Sequence, residues 1–175
     1  MMPLTTVFGL LIILFGILGG FRGWAKEIMV VSSMILALFF IYLLQTFVPD
    51  LFGILDMSDS QSQFLLRAVI ILLLAFFGYE TPRLTATLAP KLRREKLQDW
   101  LLGFILGMVN GYLIFGSIWY YLHLAGYPWP EYVQAPLAGS VDTLIDFLPP
   151  KVIGEPPIIL FAIAIAFVFV IVVLL

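Results

Sequence analysis

The chain has 175 residues, of which 62% are hydrophobic and 11% are charged, and its formal net charge is −2. A soluble domain carries about a quarter charged residues, so this composition excludes a soluble globular protein and predicts an all-α integral membrane protein. The sequence has no cysteine and a single histidine, His123, which excludes disulfides, sulfur-ligated metals and sites that need two histidines.

Five apolar runs predict about five transmembrane helices, because each run approaches the length that crosses a hydrocarbon core of roughly 30 Å. In chain order they cover residues 4–21, 28–48, 64–79, 97–122 and 158–175. Between the last two, apolar residues recur with a helical period over residues 132–148. This pattern predicts an amphipathic helix at the outer membrane surface, with Pro149 and Pro150 ending it.

Basic residues are distributed asymmetrically between the loops. The loops after the first and third runs contain Arg22, Lys26, Arg83, Lys91, Arg93, Arg94 and Lys96, whereas Lys151 is the basic residue of the opposite loops. The positive-inside rule therefore predicts an outer N-terminus and a C-terminus at the cytoplasmic face of a bacterial inner membrane. Lys91, Arg93, Arg94 and Lys96 also suit anionic lipid headgroups.

Glycines form a stripe on two of the predicted spans. The fourth span has Gly103, Gly107 and Gly111, with Asn110 and Ser117 near the same face, and the first span has Gly9, Gly16, Gly20 and Gly23, with Gly19 and Gly23 as a further pair. Faces without side chains let helix backbones approach closely. We expect the two spans to pack antiparallel within one chain; the alternative is that these faces pack between subunits.

Polar side chains near the spans have structural and functional interpretations. Asp99 is expected to cap the fourth span and to form a salt bridge with Arg22. Asn110 is expected to make a hydrogen bond between helices. Arg67 is expected either to extend to the outer interface or to pair with an acidic loop residue or a lipid phosphate.

His123 lies among aromatic residues at the outer end of the fourth span, which is typical of an interfacial aromatic belt. Axial ligation of a haem or chlorophyll is the alternative. Catalytic motifs are absent from the sequence, so we expect no catalytic residue, no metal, no resident cofactor and no enzymatic activity. The expected partners are the lipid bilayer and other membrane subunits or further copies of the chain, without nucleic acid.

Three segments resemble the colicin V production protein (CvpA) family. Arg22-Gly23 followed by Lys26-Glu27 is similar to a charged element after that family's first span, and residues 99–111 are similar to its segment with an initial Asp and three glycines. Residues 140–149 resemble its closing amphipathic helix. The likeness covers roughly residues 5–149 and marks Arg22, Glu27 and Asp99 as charged positions of the family motif.

The chain departs from this family pattern at several positions. Thr5 and Thr6 stand where the family has an Asp, and Trp100 and Asn110 stand where it has arginines. The resemblance implies a CvpA-like four-span domain over residues 1–149, with an added transmembrane helix over residues 150–175. It also implies a role in export, bacteriocin production or envelope upkeep. The alternative is an accessory or scaffold subunit of a larger bioenergetic or photosynthetic complex.

Overall fold

The structure, a computed structural model, describes residues 3–48, 59–80, 96–131, 133 and 142–174. Helices account for most of these residues. In chain order they are α1 (Leu4–Arg22), α2 (Trp24–Phe47), α3 (Ser60–Tyr79), α4 (Lys96–Leu124), α5 (Asp142–Ile145), α6 (Pro149–Val152) and α7 (Ile158–Leu174).

Helices α1 to α4 are long and apolar enough to cross a membrane, with 19, 24, 20 and 29 residues. The predicted class, an all-α integral membrane protein, is therefore confirmed. Helix α7 is also strongly apolar, but its 17 residues lie at the short end of the range that spans a bilayer. The total of five membrane crossings remains a prediction.

The structure corrects one predicted helix end. The amphipathic helix was expected over residues 132–148, but α5 ends at Ile145, and residues 132 and 134–141 lie outside the described part of the chain. Leu148 has an extended conformation with ψ of 151° because the following proline disfavours helical geometry. Pro149 occupies the first turn of α6, so the proline pair begins a short helix instead of only ending one.

The helices form a bundle in which α1 packs along α4, while α2 contacts both α3 and α4. Consecutive long helices run in opposite directions, so Arg22, Trp24 and Tyr79 lie toward the start of α4, which we call the Asp99 end. The opposite end of the bundle is called the His123 end. Helix α7 packs against α2, where Phe169 and Ala25 both pack against Met29.

The core between α2, α3 and α4 is apolar over most of its length. Its most buried side chains include Val30, Met34, Ile41, Ile71 and Ile114. Large apolar side chains on α1, α3 and α7 point away from the bundle, as expected for helices that face lipid. Because lipid is as apolar as these side chains, close packing and interhelical hydrogen bonds must supply the stabilisation.

The segment that contains α5 and α6 lies against the second half of α4. The Tyr112 hydroxyl donates a hydrogen bond to the carbonyl of Phe147. Leu148 and Pro149 are buried, and a methyl group placed on Gly116 would lie 2.7 Å from Cδ of Pro149. Gly116 therefore gives this segment its close approach to α4.

Candidate functional site

Backbone contact between α1 and α4 brings the two glycine faces together. A methyl group placed on Gly19 would lie 2.7 Å from Cα of Gly107, and one placed on Gly107 would lie 2.9 Å from Cα of Gly19. Gly16, Gly20, Gly103 and Gly111 are buried along the same contact, whereas nothing lies within 4 Å of such a methyl group on Gly9. The structure therefore joins these faces within one chain, and Gly9 lies outside the contact.

Gly23 is the one-residue break between α1 and α2. Its φ of 86° and ψ of 152° belong to a region that residues with a side chain rarely adopt. Its lack of a side chain also leaves the start of α2 without a cap from its own N-cap residue. Asp99 of α4 fills this role, because its Oδ1 accepts a hydrogen bond of 3.3 Å from the backbone N–H of Trp24.

The Glu27 carboxylate lies at the centre of a polar group that we call the Glu27 junction, consisting of Arg22, Glu27, Tyr79 and Asn110. Glu27 is 0% exposed. Asn110 Nδ2 donates to Glu27 Oε2 at 2.7 Å and to the Glu27 backbone carbonyl at 2.8 Å. The Tyr79 hydroxyl donates to Oε2 at 3.3 Å. Each of the four long helices thus contributes one residue to the junction.

Arg22 provides the positive charge of the junction. Its Nη1 donates to Glu27 Oε1 at 3.5 Å, and its side chain is 34% exposed. The guanidinium carbon lies 4.5 Å from the ring centroid of Tyr79, a distance that suits a cation–π contact. Arg22 therefore reaches from the buried carboxylate toward the Asp99 end of the bundle.

The expected Arg22–Asp99 salt bridge is wrong, since Arg22 pairs with Glu27. Asp99 lies in the first turn of α4, as expected, but its carboxylate accepts the Trp24 N–H and thereby caps α2. The reason is geometric: the turn at Gly23 directs the start of α2 against α4, so the Trp24 N–H reaches Asp99. Glu27 then enters the interior within the first turn of α2, where Arg22 meets it.

A charged group inside a membrane protein needs compensation, because removing a carboxylate from water costs several kcal/mol. Three hydrogen-bond donors of the Glu27 junction supply this compensation. Hydrogen bonds to an ionised acceptor are stronger than those between neutral groups. The arrangement ties the four long helices together at one depth. Arg22, Tyr79 and Asn110 all donate hydrogen bonds to Glu27 inside the bundle. This geometry is that of a structural contact between helices.

Two polar atoms on the inner face of α4 have no hydrogen-bond partner among the described residues. They are Oδ1 of Asn110 and Oγ of Ser117, both in side chains that are 0% exposed. Unpaired buried groups of this kind cost about 1–3 kcal/mol unless water reaches them. Asn110 is thus bound on its amide nitrogen side only, while Ser117 contributes no bond to the helix contacts.

Arg67 lies half-buried among α2, α3 and α4 near the His123 end. With the Gln45 amide oxygen facing Arg67, the two guanidinium contacts measure 3.1 and 3.2 Å. Arg67 also donates to Gln63 at 3.5 Å and lies 5.3 Å from the ring centroid of Tyr121. The sequence interpretation of Arg67 did not include these partners, Gln45 on α2 and Gln63 one turn earlier on α3.

His123 lies in the last turn of α4. It is beside Tyr127, which belongs to the turn that follows this helix. Its Nδ1 is 3.4 Å from the Tyr127 hydroxyl, which also accepts a hydrogen bond of 3.2 Å from Trp119 Nε1. Burial raises the pKa of the Tyr127 phenol, while the Trp119 hydrogen bond opposes this shift. His123 therefore belongs to an aromatic cluster, and its role as a macrocycle ligand remains a prediction.

The remaining candidate residues are basic. Lys96 is exposed at the start of α4, whereas Lys91, Arg93 and Arg94 lie outside the described residues. In the part of the chain that the structure describes, no group of three or more histidines, aspartates and glutamates is arranged to hold a metal ion. Tyr79 is the junction residue that the sequence did not reveal, since a tyrosine at the end of a span is typical of any membrane interface.

The four apolar helices and their internal glycine contact define an all-helical membrane protein whose long helices are fixed to one another near one end. A comparison with protein families matches residues 4–145 to the family described as colicin V production protein. The chain belongs to this family. The match contains the Glu27 junction and the glycine contact, and it ends before α6 and α7. No curated protein and no solved structure matches the chain.

Proposed function

We propose that this chain is a non-enzymatic, multi-span protein of the bacterial inner membrane that acts in the export or production of a bacteriocin of the colicin V type, or in envelope upkeep. Membership of the colicin V production protein family supports the proposal. The single structural observation that carries it is the Glu27 junction, in which the charged family residues Arg22 and Glu27 bind each other and the neighbouring helices.

The junction supports a structural role because the two charged side chains are bound to partners from the other helices. Asn110 stands where the family has an arginine, and its amide donates to both the side chain and the backbone of Glu27. A neutral amide here leaves Arg22 as the cation that pairs with Glu27 among the described residues. We infer that the junction fixes the helix arrangement and that export components recognise the resulting surface.

The test is complementation in a colicin V-producing strain from which its own member of this family has been deleted. The wild-type chain should restore secreted colicin activity or resistance to envelope stress. Asn110→Leu should restore less, because it removes two hydrogen bonds to Glu27. Ser117→Ala is the matched control on the same helix, and immunoblots of membranes should show equal amounts of each variant. Failure of the wild-type chain in both assays would overturn the proposal.

The alternative is that the chain is an accessory subunit of a larger bioenergetic or photosynthetic membrane complex. One observation favours it: α7 lies beyond the family match and directs large apolar side chains away from the bundle, among them Phe161, Ile165 and Phe167. Purification in mild detergent separates the two roles. Co-migration with a pigmented or haem-bearing complex would support the accessory role, and a monomer or homo-oligomer without pigment would contradict it.

A further inference from the structure

A polar cavity of about 90 Å³ lies at the His123 end, far from the Glu27 junction. The last turns of α2, the end of α4 and the connection from α6 to α7 line it, and it is open to the surroundings. Its polar wall consists of side chains from these three segments, namely Tyr42, Gln45, Tyr120, Tyr121 and Glu155. This volume exceeds the roughly 10–15 Å³ that one water molecule needs, so the cavity has room for a small polar group.

The chemistry of this wall favours a cation. Among the described residues that line the cavity, Glu155 is the charged one, and the tyrosines add ring faces and hydroxyl oxygens. Carboxylates and aromatic faces are the groups that attract ammonium ions in proteins. Pro150 and Gly154 close the wall with atoms that bring no charge.

Two cationic side chains of the protein itself already contact residues of this wall. Lys151 Nζ donates to Glu155 Oε1 at 3.0 Å, and the Arg67 guanidinium carbon lies 5.3 Å from the Tyr121 ring centroid. The Lys151–Glu155 pair is exposed, with side chains 44% and 56% accessible, so it is weak and open to competition. Arg67 is directed toward Gln45 and Gln63 and does not line the cavity.

We propose that this cavity binds a primary ammonium group, with the Glu155 carboxylate accepting its hydrogen bonds and Tyr42 and Tyr120 surrounding it. Lys151 is then an internal competitor for the same carboxylate. The site lies where the bundle meets the membrane surface, so the ammonium group has two sources: the headgroup of phosphatidylethanolamine, or a small amine in solution. The proposal does not depend on the role in export.

The lipid source is tested with the full chain in nanodiscs that contain equal amounts of phosphatidylethanolamine and phosphatidylglycerol, followed by native mass spectrometry of retained lipid. We expect preferential retention of phosphatidylethanolamine. Glu155→Gln should reduce this preference by roughly two- to fivefold, the size expected for an ion pair at an exposed carboxylate. Glu131→Gln, at another exposed carboxylate of the same end, should leave it unchanged.

Lys151→Met distinguishes binding from damage to the fold, because it should increase retention by removing the competing ammonium group. The solution source is tested by calorimetric titration of the same proteins with ethanolamine. If ethanolamine binds and its binding depends on Glu155 and Lys151 in the same way, the site is supported. If, in addition, the nanodisc experiment shows no preference for phosphatidylethanolamine, the ligand is assigned to a free amine. The proposal is overturned if Glu155→Gln changes neither measurement, or if Lys151→Met weakens both.

Discussion

Glu27 is the fully buried charged side chain among the described residues, and removing a carboxylate from water costs several kcal/mol. Asn110→Leu should lower the free energy of unfolding by about 2 kcal/mol, since hydrogen bonds to charged groups contribute about 1.5–3 kcal/mol. The measurement is reversible unfolding by SDS in mixed micelles, followed by circular dichroism.

The matched control for this prediction is Ser117→Ala. It removes a buried hydroxyl that has no partner among the described residues, so its free energy of unfolding should stay equal or rise slightly. Equal losses for Asn110→Leu and Ser117→Ala would show that the amide contributes nothing to Glu27 beyond packing.

A second prediction concerns the partner of Arg22. A double-mutant cycle between Arg22→Met and Glu27→Gln should give a coupling energy of about 0.5–3 kcal/mol, because the two side chains form an ion pair. The same cycle between Arg22→Met and Asp99→Asn should be additive within about 0.5 kcal/mol. Unfolding in SDS measures both coupling energies. A larger coupling energy between Arg22 and Asp99 than between Arg22 and Glu27 would instead support the Arg22–Asp99 salt bridge.

The partners of these residues could not be predicted from the sequence because they are distant along it. Glu27 and Asn110 are 83 positions apart, and Trp24 and Asp99 are 75 positions apart. The pattern did predict that Asn110 faces another helix, and the family resemblance marked Arg22, Glu27 and Asp99 as charged positions. Which of the two acids takes Arg22 depends on the turn at Gly23, whose geometry is set by contact with α4.

At the scale of helices, the contact between α1 and α4 depends on glycines, which have no side chain to separate the two backbones. Gly107→Ala should lower the free energy of unfolding by about 1–3 kcal/mol, because the added methyl group meets the α1 backbone at Gly19. Gly9→Ala is the control, since both changes raise helix propensity but nothing lies within 4 Å of a methyl group on Gly9. Similar stabilities of the two variants in SDS would contradict the close contact.

Helix positions were predictable to within a few residues because the apolar runs are long and lipid leaves few alternatives to a helix. The starts of α2 and α3 and the end of α5 were not. Helix α2 begins at Trp24, before its apolar run, because Asp99 supplies the cap that Gly23 lacks. Helix α5 ends at Ile145, before its periodic pattern ends, because Leu148 is extended before Pro149 and buried against α4.

At the scale of the whole molecule, the polar groups divide between two ends. The Glu27 junction joins the long helices near the Asp99 end, whereas Arg67 and the proposed ammonium site lie near the His123 end. The apolar core of Met34, Ile71 and Ile114 lies between them. The family match contains the junction but not α6 and Glu155, so the ammonium site would be a feature added to the family body.

The charge distribution predicts which end faces the cytoplasm, and the absence of cysteine from the natural sequence makes the test simple. In spheroplasts, a membrane-impermeant maleimide should label Glu131→Cys, which is exposed near the His123 end. Lys26→Cys, exposed near the Asp99 end, should react only after the membrane is permeabilised. If α7 crosses the membrane, green fluorescent protein fused after Leu175 should lie in the cytoplasm and fluoresce. Labelling of Lys26→Cys but not of Glu131→Cys in spheroplasts would show the opposite orientation. A non-fluorescent fusion of a correctly inserted chain would contradict the fifth crossing.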